Sequence, residues 1–360
     1  MSIKVRRSQA ARSALIGTRQ TKRMAKTSLI FLIATLLVFP FWTTSSRAAA
    51  APSKIVISYA ILSEREGALF VARDQGLFRK QGLDVDLVYV ASAPVALASI
   101  AHGDSQINTG STSGAILGAM AGGLDLAFIA GLVNKLTGTI VTNPDIRRPA
   151  DLKNKTIGVT SIGGGNWVFT MLALEHWGLD PKRDNISIRV IGNDAVRAQA
   201  ITTGTIDATQ LSTYSYATAL KRQGYRVLAD LPDLGIPYQG TTVFARRSFV
   251  NQYPDVAEKV LTAIVEAIAF IREPANKAAV MRSLAKGLRL SKPEDTTEGY
   301  EVIKTLYEQK IYPSADGVRN TIRLLGASNE KIRGLRAEDL IDDRTVRKLE
   351  QKGLFQVPLK

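Results

Sequence analysis

The residues best suited to chemistry in this 360-residue chain are hydroxyls, amides and glycines that follow short β-branched runs. The clearest case lies between Thr156 and Gly178, where a β-branched run leads through a turn of three consecutive glycines into an apolar segment. A strand, a glycine-rich turn and a helix in this order direct free N–H groups beyond the carboxyl end of the strand, where they attract an anion or a polar oxygen. The glycines alone are equally typical of an ordinary tight turn. No nucleotide-binding glycine pattern is present.

The same order of strand, polar turn and helix recurs along the chain and predicts a binding site assembled from several turns. The candidate ligand-binding residues are Ser63, Arg65, Ser92, Ser111, Thr112, Ser113, Gly163, Gly164, Asn166, Trp167, Thr213 and Tyr214. Hydroxyls and backbone N–H groups without a dense cluster of Lys or Arg suit a small monoanion, either a sulfonate or a carboxylate. Tyr214 and Trp167 are expected to cover the apolar remainder of such a ligand.

Two of these residues allow a second interpretation. Trp167 either stacks on the ligand or anchors its helix in the core. Arg65 either pairs with an anion between two lobes or is a solvated side chain beside Glu64 and Glu66.

The sequence has few residue patterns typical of catalysis or metal binding. Cysteine is absent, which excludes disulfides, thiolate metal sites and cysteine nucleophiles. The two histidines, His102 and His176, lie near predicted helix ends rather than among other metal ligands. The serines do not form the glycine–serine–glycine pattern of a nucleophile elbow. We therefore expect a binding protein that is not an enzyme and has no catalytic residue, metal or cofactor.

The net charge of +15 does not predict a nucleic-acid partner, because much of it is confined to the N-terminus. Residues 1–50 hold nine Lys and Arg and no acidic residue, which leaves +6 for the remainder. This segment also has an apolar core shorter than a membrane span and a small-residue exit before Pro52, as in a cleaved secretory signal. We expect cleavage after Ala50 and a periplasmic protein. An uncleaved membrane anchor is the alternative.

The remainder alternates strands and helices and predicts an α/β fold with two lobes, each a mainly parallel sheet flanked by helices. Residues 51–142 are assigned to the first lobe, 143–242 to the second, and 243–360 to a return to the first lobe and C-terminal helices. Two crossing segments are expected near residues 138–143 and 240–245. A helix is predicted from Pro254 to Ile271, where apolar residues repeat with helical period.

Four segments in sequence order resemble one protein family. They are GALFVARDQGLFRKQGLDVDL at 67–87, GDSQINTGS at 103–111, ADLKNKTIGV at 150–159 and YPDVAEKVLTAI at 253–264. Together they resemble the sulfonate-, nitrate- and taurine-type periplasmic solute-binding proteins of ABC importers. The resemblance implies the two-lobed periplasmic binding protein type 2 fold with two hinge crossings, a small-molecule ligand clamped between the lobes and an ABC permease as partner. We expect the protein to act as a monomer.

Two other functions stay open. Fungal thiamine-pyrimidine synthases share this fold but carry a cysteine-rich motif, which this chain lacks. A secreted sensor that passes its ligand to a receptor is compatible with the same features.

Overall fold

The computed structural model describes residues 54–90 and 93–355. The predicted signal segment 1–50 and the candidate Ser92 lie outside the described residues.

Ten strands are present in the described part of the chain: β1 Ile55–Tyr59, β2 Val85–Tyr89, β3 Ile107–Gly110, β4 Leu126–Lys135, β5 Thr139–Thr142, β6 Thr156–Val159, β7 Ser187–Val190, β8 Ala208–Leu211, β9 Arg226–Asp230 and β10 Pro237–Arg246. Fourteen α-helices accompany them: α1 Gly67–Asp74, α2 Leu77–Lys80, α3 Ala93–His102, α4 Gly114–Ala121, α5 Gly165–His176, α6 Asp194–Thr202, α7 Tyr214–Arg222, α8 Arg247–Gln252, α9 Pro254–Arg272, α10 Lys277–Leu288, α11 Thr297–Leu306, α12 Ala315–Gly326, α13 Glu330–Arg333 and α14 Arg344–Gln351. The helix predicted from Pro254 to Ile271 is therefore confirmed as α9.

The strands form two separate sheets. The first has the order β2-β1-β3-β10-β4, and the second has the order β7-β6-β8-β5-β9. In each sheet one strand runs against its neighbours: β10 is antiparallel to β3 and β4, and β5 is antiparallel to β8 and β9. The other pairings, such as β1 with β2 and β6 with β7, are parallel. The predicted two-lobed α/β fold with mainly parallel sheets is thus confirmed.

The chain passes between the sheets slightly earlier than predicted. β4 belongs to the first sheet and β5 to the second, so the first passage is residues 136–138 rather than 138–143. The β-branched run Thr139–Thr142 is a fully buried strand because it pairs with β8 on one side and β9 on the other. The return passage, residues 231–236, likewise precedes β10, which lies wholly in the first sheet.

The packing of the first lobe explains why it holds its shape. α9 buries Val260, Leu261, Ile264 and Ile268 against α1 and the first sheet, in a cluster that also includes Phe70. A fully buried aliphatic side chain contributes about 1.5–3 kcal/mol, so this face alone is a large part of the core. Among the described residues no helix is both long and apolar enough to span a membrane.

Candidate functional site

The candidate site lies where the polar turns of the two lobes meet. From the first lobe come the short 3-10 helix Glu64–Glu66, the turn 111–113 after β3, and the first half of β10. From the second lobe come the passage 136–138, the start of α5 and the segment 210–214. Contacts across the lobes include Gly114 N–H to Gly163 O at 2.9 Å and Thr213 Oγ1 to Leu62 O at 3.2 Å. The polar turns predicted from the sequence are therefore brought together, except for Ser92, which is not described.

Arg65 is buried between the lobes, with 4% of its surface exposed. Its Nη1 donates to Thr137 Oγ1 at 3.0 Å and to Gly240 O at 3.4 Å, and its guanidinium lies 5.6 Å from the ring centre of Phe169. Arg65 has no carboxylate within ion-pair distance among the described residues, and burial lowers its pKa. The interpretation of Arg65 as a solvated side chain is wrong, because elements of both lobes enclose it.

The two carboxyl groups that flank Arg65 in the sequence are also buried. Glu66 accepts from Thr109 Oγ1 at 2.8 Å, and Glu64 accepts from Tyr214 N–H at 3.3 Å. Burial, which penalises the charged form, raises the pKa of each to about 7. The hydroxyl of Tyr307 fixes this segment by donating to the carbonyl oxygens of Arg65 and, more weakly, Glu64.

Three hydroxyl residues follow β3 at the edge of the same space. Ser111, Thr112 and Ser113 are buried, and the backbone N–H of Thr112 donates to Gln239 O at 3.1 Å. Ser113 stands at the N-cap position of α4 without a side-chain cap bond. Their packing leaves no room for larger neighbours: a Cβ on Gly165 would lie 3.1 Å from Cβ of Ser111.

The polar groups of the glycine turn in the second lobe make more hydrogen bonds within the protein than its sequence predicted. Gly163 adopts φ +73°, a conformation that favours glycine, and Gly164 N–H donates to Ser161 O at 3.3 Å. Asn166 Oδ1 accepts from Thr160 N–H at 3.1 Å, and its Nδ2 donates to Gln210 O at 2.9 Å. Asn166 therefore ties the turn to β8.

Trp167 is half-buried and packs against two apolar clusters of the core. This packing agrees with the interpretation of Trp167 as a helix anchor. A different aromatic pair lies beside Arg65: the rings of Phe169 and Tyr238 are 4.8 Å apart, edge to face. The hydroxyl of Tyr238 donates to Thr112 O.

Thr213 and Tyr214 lie at the start of α7, directly across from the 3-10 helix Glu64–Glu66. The N–H groups of Ser212 and Thr213 donate to Asp194 Oδ2 at 2.7 and 2.8 Å. The phenol oxygen of Tyr214 accepts from Gly138 N–H in the first passage, and burial raises the pKa of this phenol. The backbone N–H groups of Ser212 and Thr213 are thus bonded to a protein carboxylate, whereas the sequence predicted ligand contacts for the hydroxyl of Thr213 and the ring of Tyr214.

Several buried side-chain atoms in this region have no hydrogen-bond partner among the described residues. They are Ser63 Oγ, Glu64 Oε1, Arg65 Nε, Glu66 Oε1, Ser111 Oγ, Thr112 Oγ1, Thr139 Oγ1, Gln239 Nε2 and Thr241 Oγ1. An unpaired buried polar group costs about 1–3 kcal/mol, so such a concentration is typical of a site that binds rather than of a core.

Sequence reasoning missed Glu64, Glu66, Phe169, Gln239 and Tyr238. Phe169 and Tyr238 read as core and strand residues, and the glutamates read as surface charges. The one available signal was the spacing of Glu64 and Glu66 immediately before a helix, since carboxylates favour helix N-termini.

Two open crevices lie away from this buried cluster. One, of about 890 Å³, is lined by α12 and α13 and includes Arg319, Arg323 and Arg333. The other, of about 440 Å³, lies beside the two passages and includes Lys135 and Asp230. We assign the candidate site to the buried cluster because the unpaired polar atoms concentrate there. The described residues contain no group of three metal-ligating side chains.

Solved structures share this architecture. The aliphatic sulphonate-binding protein SsuA of Escherichia coli superposes with a TM-score of 0.66 and 22% identity, over 81% of this chain and 93% of that one. The alkanesulfonate-binding protein SsuA of Xanthomonas axonopodis, bound to MOPS, gives 0.62 and 20%, over 83% and 98%. The nitrate-binding protein NrtA of Synechocystis gives 0.67 and 15%, over 83% and 89%. Identities this low establish a shared fold alone.

Two five-stranded sheets joined by two passages give the chain the fold of periplasmic binding proteins, which these solved structures share. The model of the NMT1/THI5-like family matches residues 66–278. The chain therefore belongs to the NMT1/THI5-like family. A comparison with curated protein sequences gave no match.

Proposed function

We propose that this protein is the periplasmic solute-binding component of an ABC importer, and that it captures a small organic acid between its lobes. The observation that carries the proposal is Arg65. It is a buried guanidinium without an ion pair among the described residues, and its Nε and the hydroxyls of Ser111 and Thr112 have no partner there.

The geometry supports recognition of an acid group in this place. Arg65 Nη1 is bonded to Gly240 O, and Thr112 N–H is bonded to the adjacent Gln239 O, so β10 holds the guanidinium and the hydroxyl turn close together. A guanidinium and two hydroxyls are donors that match a sulfonate or carboxylate. The edge-to-face rings of Phe169 and Tyr238 supply an apolar wall for the rest of the solute.

Capture follows from the arrangement of the lobes. Both lobes contribute to the cluster, and only the passages 136–138 and 231–236 join the sheets within the covalent chain. A solute that contacts both sides favours the closed arrangement through its differential affinity, and the passages absorb the hinge rotation. Delivery to an inner-membrane permease, action as a monomer and export through a cleaved signal belong to the same proposal.

Native mass spectrometry of the protein purified from periplasm tests this function, followed by calorimetry with the solutes that co-purify. We expect a small sulfonate or carboxylate, and a smaller radius of gyration by X-ray scattering when it binds. Binding of only neutral or cationic solutes contradicts the acid-group assignment. Turnover of the solute into a product contradicts the assignment as a binding protein.

A further inference from the structure

The backbone N–H groups at the start of helix α7 are hydrogen-bonded to two carboxyl groups, one from each lobe. Asp194 of the second lobe accepts the N–H groups of Ser212 and Thr213 at 2.7 and 2.8 Å. Glu64 of the first lobe accepts the next one, Tyr214 N–H, at 3.3 Å, with the N–H of Ser215 also turned to it. Four consecutive backbone donors are therefore divided between the lobes.

The position of the Glu64 side chain is fixed by the packing around it. Glu64 is fully buried, and its backbone carbonyl accepts from the hydroxyl of Tyr307 at 3.4 Å. A Cβ on Gly299 of α11 would lie 2.4 Å from Cγ of Glu64, so a glycine stands where the side chain needs the space. Its second oxygen, Oε1, is buried without a hydrogen-bond partner.

We infer that Glu64 is the residue that closes the lobes, by placing its carboxyl group on the start of α7 where a ligand's acid group would otherwise bind. Two consequences follow. The solute's acid group is left to Arg65 and the hydroxyls on the first-lobe side. Closing also removes from water the backbone N–H groups at the start of α7, which need hydrogen-bond acceptors. Loss of Glu64 therefore leaves Tyr214 N–H buried and unpaired.

Protons take part in this contact. The titratable and charged groups around Glu64 are Asp194 on α6, the phenols of Tyr214, Tyr216 and Tyr307, and the neighbouring Arg65, and Glu64 makes no ion pair within the described residues. Burial raises the pKa of Glu64 to about 7 in this arrangement. Because the closed form holds the proton more tightly, closing takes up a proton, and the closed fraction rises as the pH falls through 7.

The inference rests on the clamp motion of the proposed function, but its test uses no solute. The chain has no cysteine, so Arg79→Cys and Lys182→Cys introduce one spin label on each lobe cleanly. Pulsed electron spin resonance then measures the inter-lobe distance at pH 6. We expect Glu64→Ala to lower the ratio of closed to open molecules about tenfold and to move the distance distribution towards the longer separation.

The matched control is Glu298→Ala on α11. Glu298 also joins the lobes, through Arg222 of α7 at 3.2 Å, but this pair is solvent-exposed. Glu298→Ala should change the distance distribution little. An unchanged distribution in Glu64→Ala, or an equal opening in Glu298→Ala, overturns the inference.

A second variant separates closing from folding. Glu64→Gln keeps an acceptor for Tyr214 N–H and has no titratable proton. We expect this variant to stay closed throughout pH 6 to 8, whereas the closed fraction of the unmodified protein decreases over that range. A pH response equal to that of the unmodified protein contradicts the role of Glu64. Because no solute is present, these outcomes do not depend on whether an organic acid is ever found to bind.

Discussion

Two buried arginines, one on each side of the cleft, have opposite surroundings. Arg197 of the second lobe pairs with Asp194 and donates to Thr209 Oγ1 at 3.0 Å and Gln210 O at 3.0 Å. Arg65 of the first lobe has no carboxylate partner among the described residues, and its Nε is unpaired. Both are almost fully buried, so the difference lies in their partners rather than in their exposure.

This difference separates a structural charge from one available to a ligand. A buried charge is stable when it is paired and fully hydrogen-bonded, and it is costly when it is not. Arg197 joins β8 to the N-terminal part of α6 and satisfies that condition within the protein. Arg65 is held in place by Thr137 and Gly240 but keeps donor capacity for a further acceptor. Under the proposed function, the first lobe supplies the charge that recognises the solute, and the second lobe supplies a rigid surface beside it.

The strongest test of the comparison is Arg197→Met. It leaves Asp194 without its partner inside the second lobe, and breaking such a pair costs about 3–5 kcal/mol. Urea unfolding followed by circular dichroism should show this loss of stability. A change below about 1 kcal/mol would show that Arg197 is not the structural centre of its lobe.

Arg65→Met should have the opposite effect: it weakens solute binding and leaves folding stability nearly unchanged. Removing a buried charge that lacks a counter-ion is expected to leave the unfolding free energy nearly unchanged, whereas the affinity for the co-purified solute should fall by about 2–5 kcal/mol. Calorimetry measures the affinity and urea unfolding the stability. Unchanged affinity would remove Arg65 from the site.

The pH dependence of stability sharpens the comparison further. Burial raises the pKa of Glu66 to about 7 in the folded protein, above the ordinary value near 4.5. Its contribution is therefore fully present below pH 4.5 and is lost as the pH rises through 7, by about 1–3 kcal/mol. Glu66→Gln should flatten this part of the stability profile, measured by urea unfolding from pH 4 to 8. An identical profile in the variant contradicts the assignment.

The smallest effect is expected for Asn166→Ala. This side chain bonds Thr160 N–H and Gln210 O within the second lobe, so its loss should cost about 1 kcal/mol of stability. Solute affinity should fall only as far as the turn becomes less ordered. Calorimetry measures the affinity, and urea unfolding measures the stability. A hundredfold loss of affinity with unchanged stability would return Asn166 to the ligand site.

Much of the fold was determined by local sequence pattern. β-branched runs such as Thr156–Val159 became strands, and the apolar repeat of Pro254–Arg272 became one long helix, because period and propensity act over neighbouring residues. The order of the segments also predicted two lobes. The position of the first passage was missed, since Thr139–Thr142 looks the same whether it links two sheets or lies inside one.

The site depended on tertiary structure. The polar turns could be found from the sequence because each follows a strand, and parallel strands bring their carboxyl ends to one edge. Which turn atoms stay available could not, because Asp194, Gln210 and Glu64 reach Thr213, Asn166 and Tyr214 from distant parts of the chain. From the sequence, Arg65 is either a ligand-binding residue between the lobes or a solvated side chain beside Glu64 and Glu66. Elements of both lobes, among them β3, α11 and α7, surround the segment Glu64–Glu66 and bury its three charges, because burial depends on what the whole chain places around a residue.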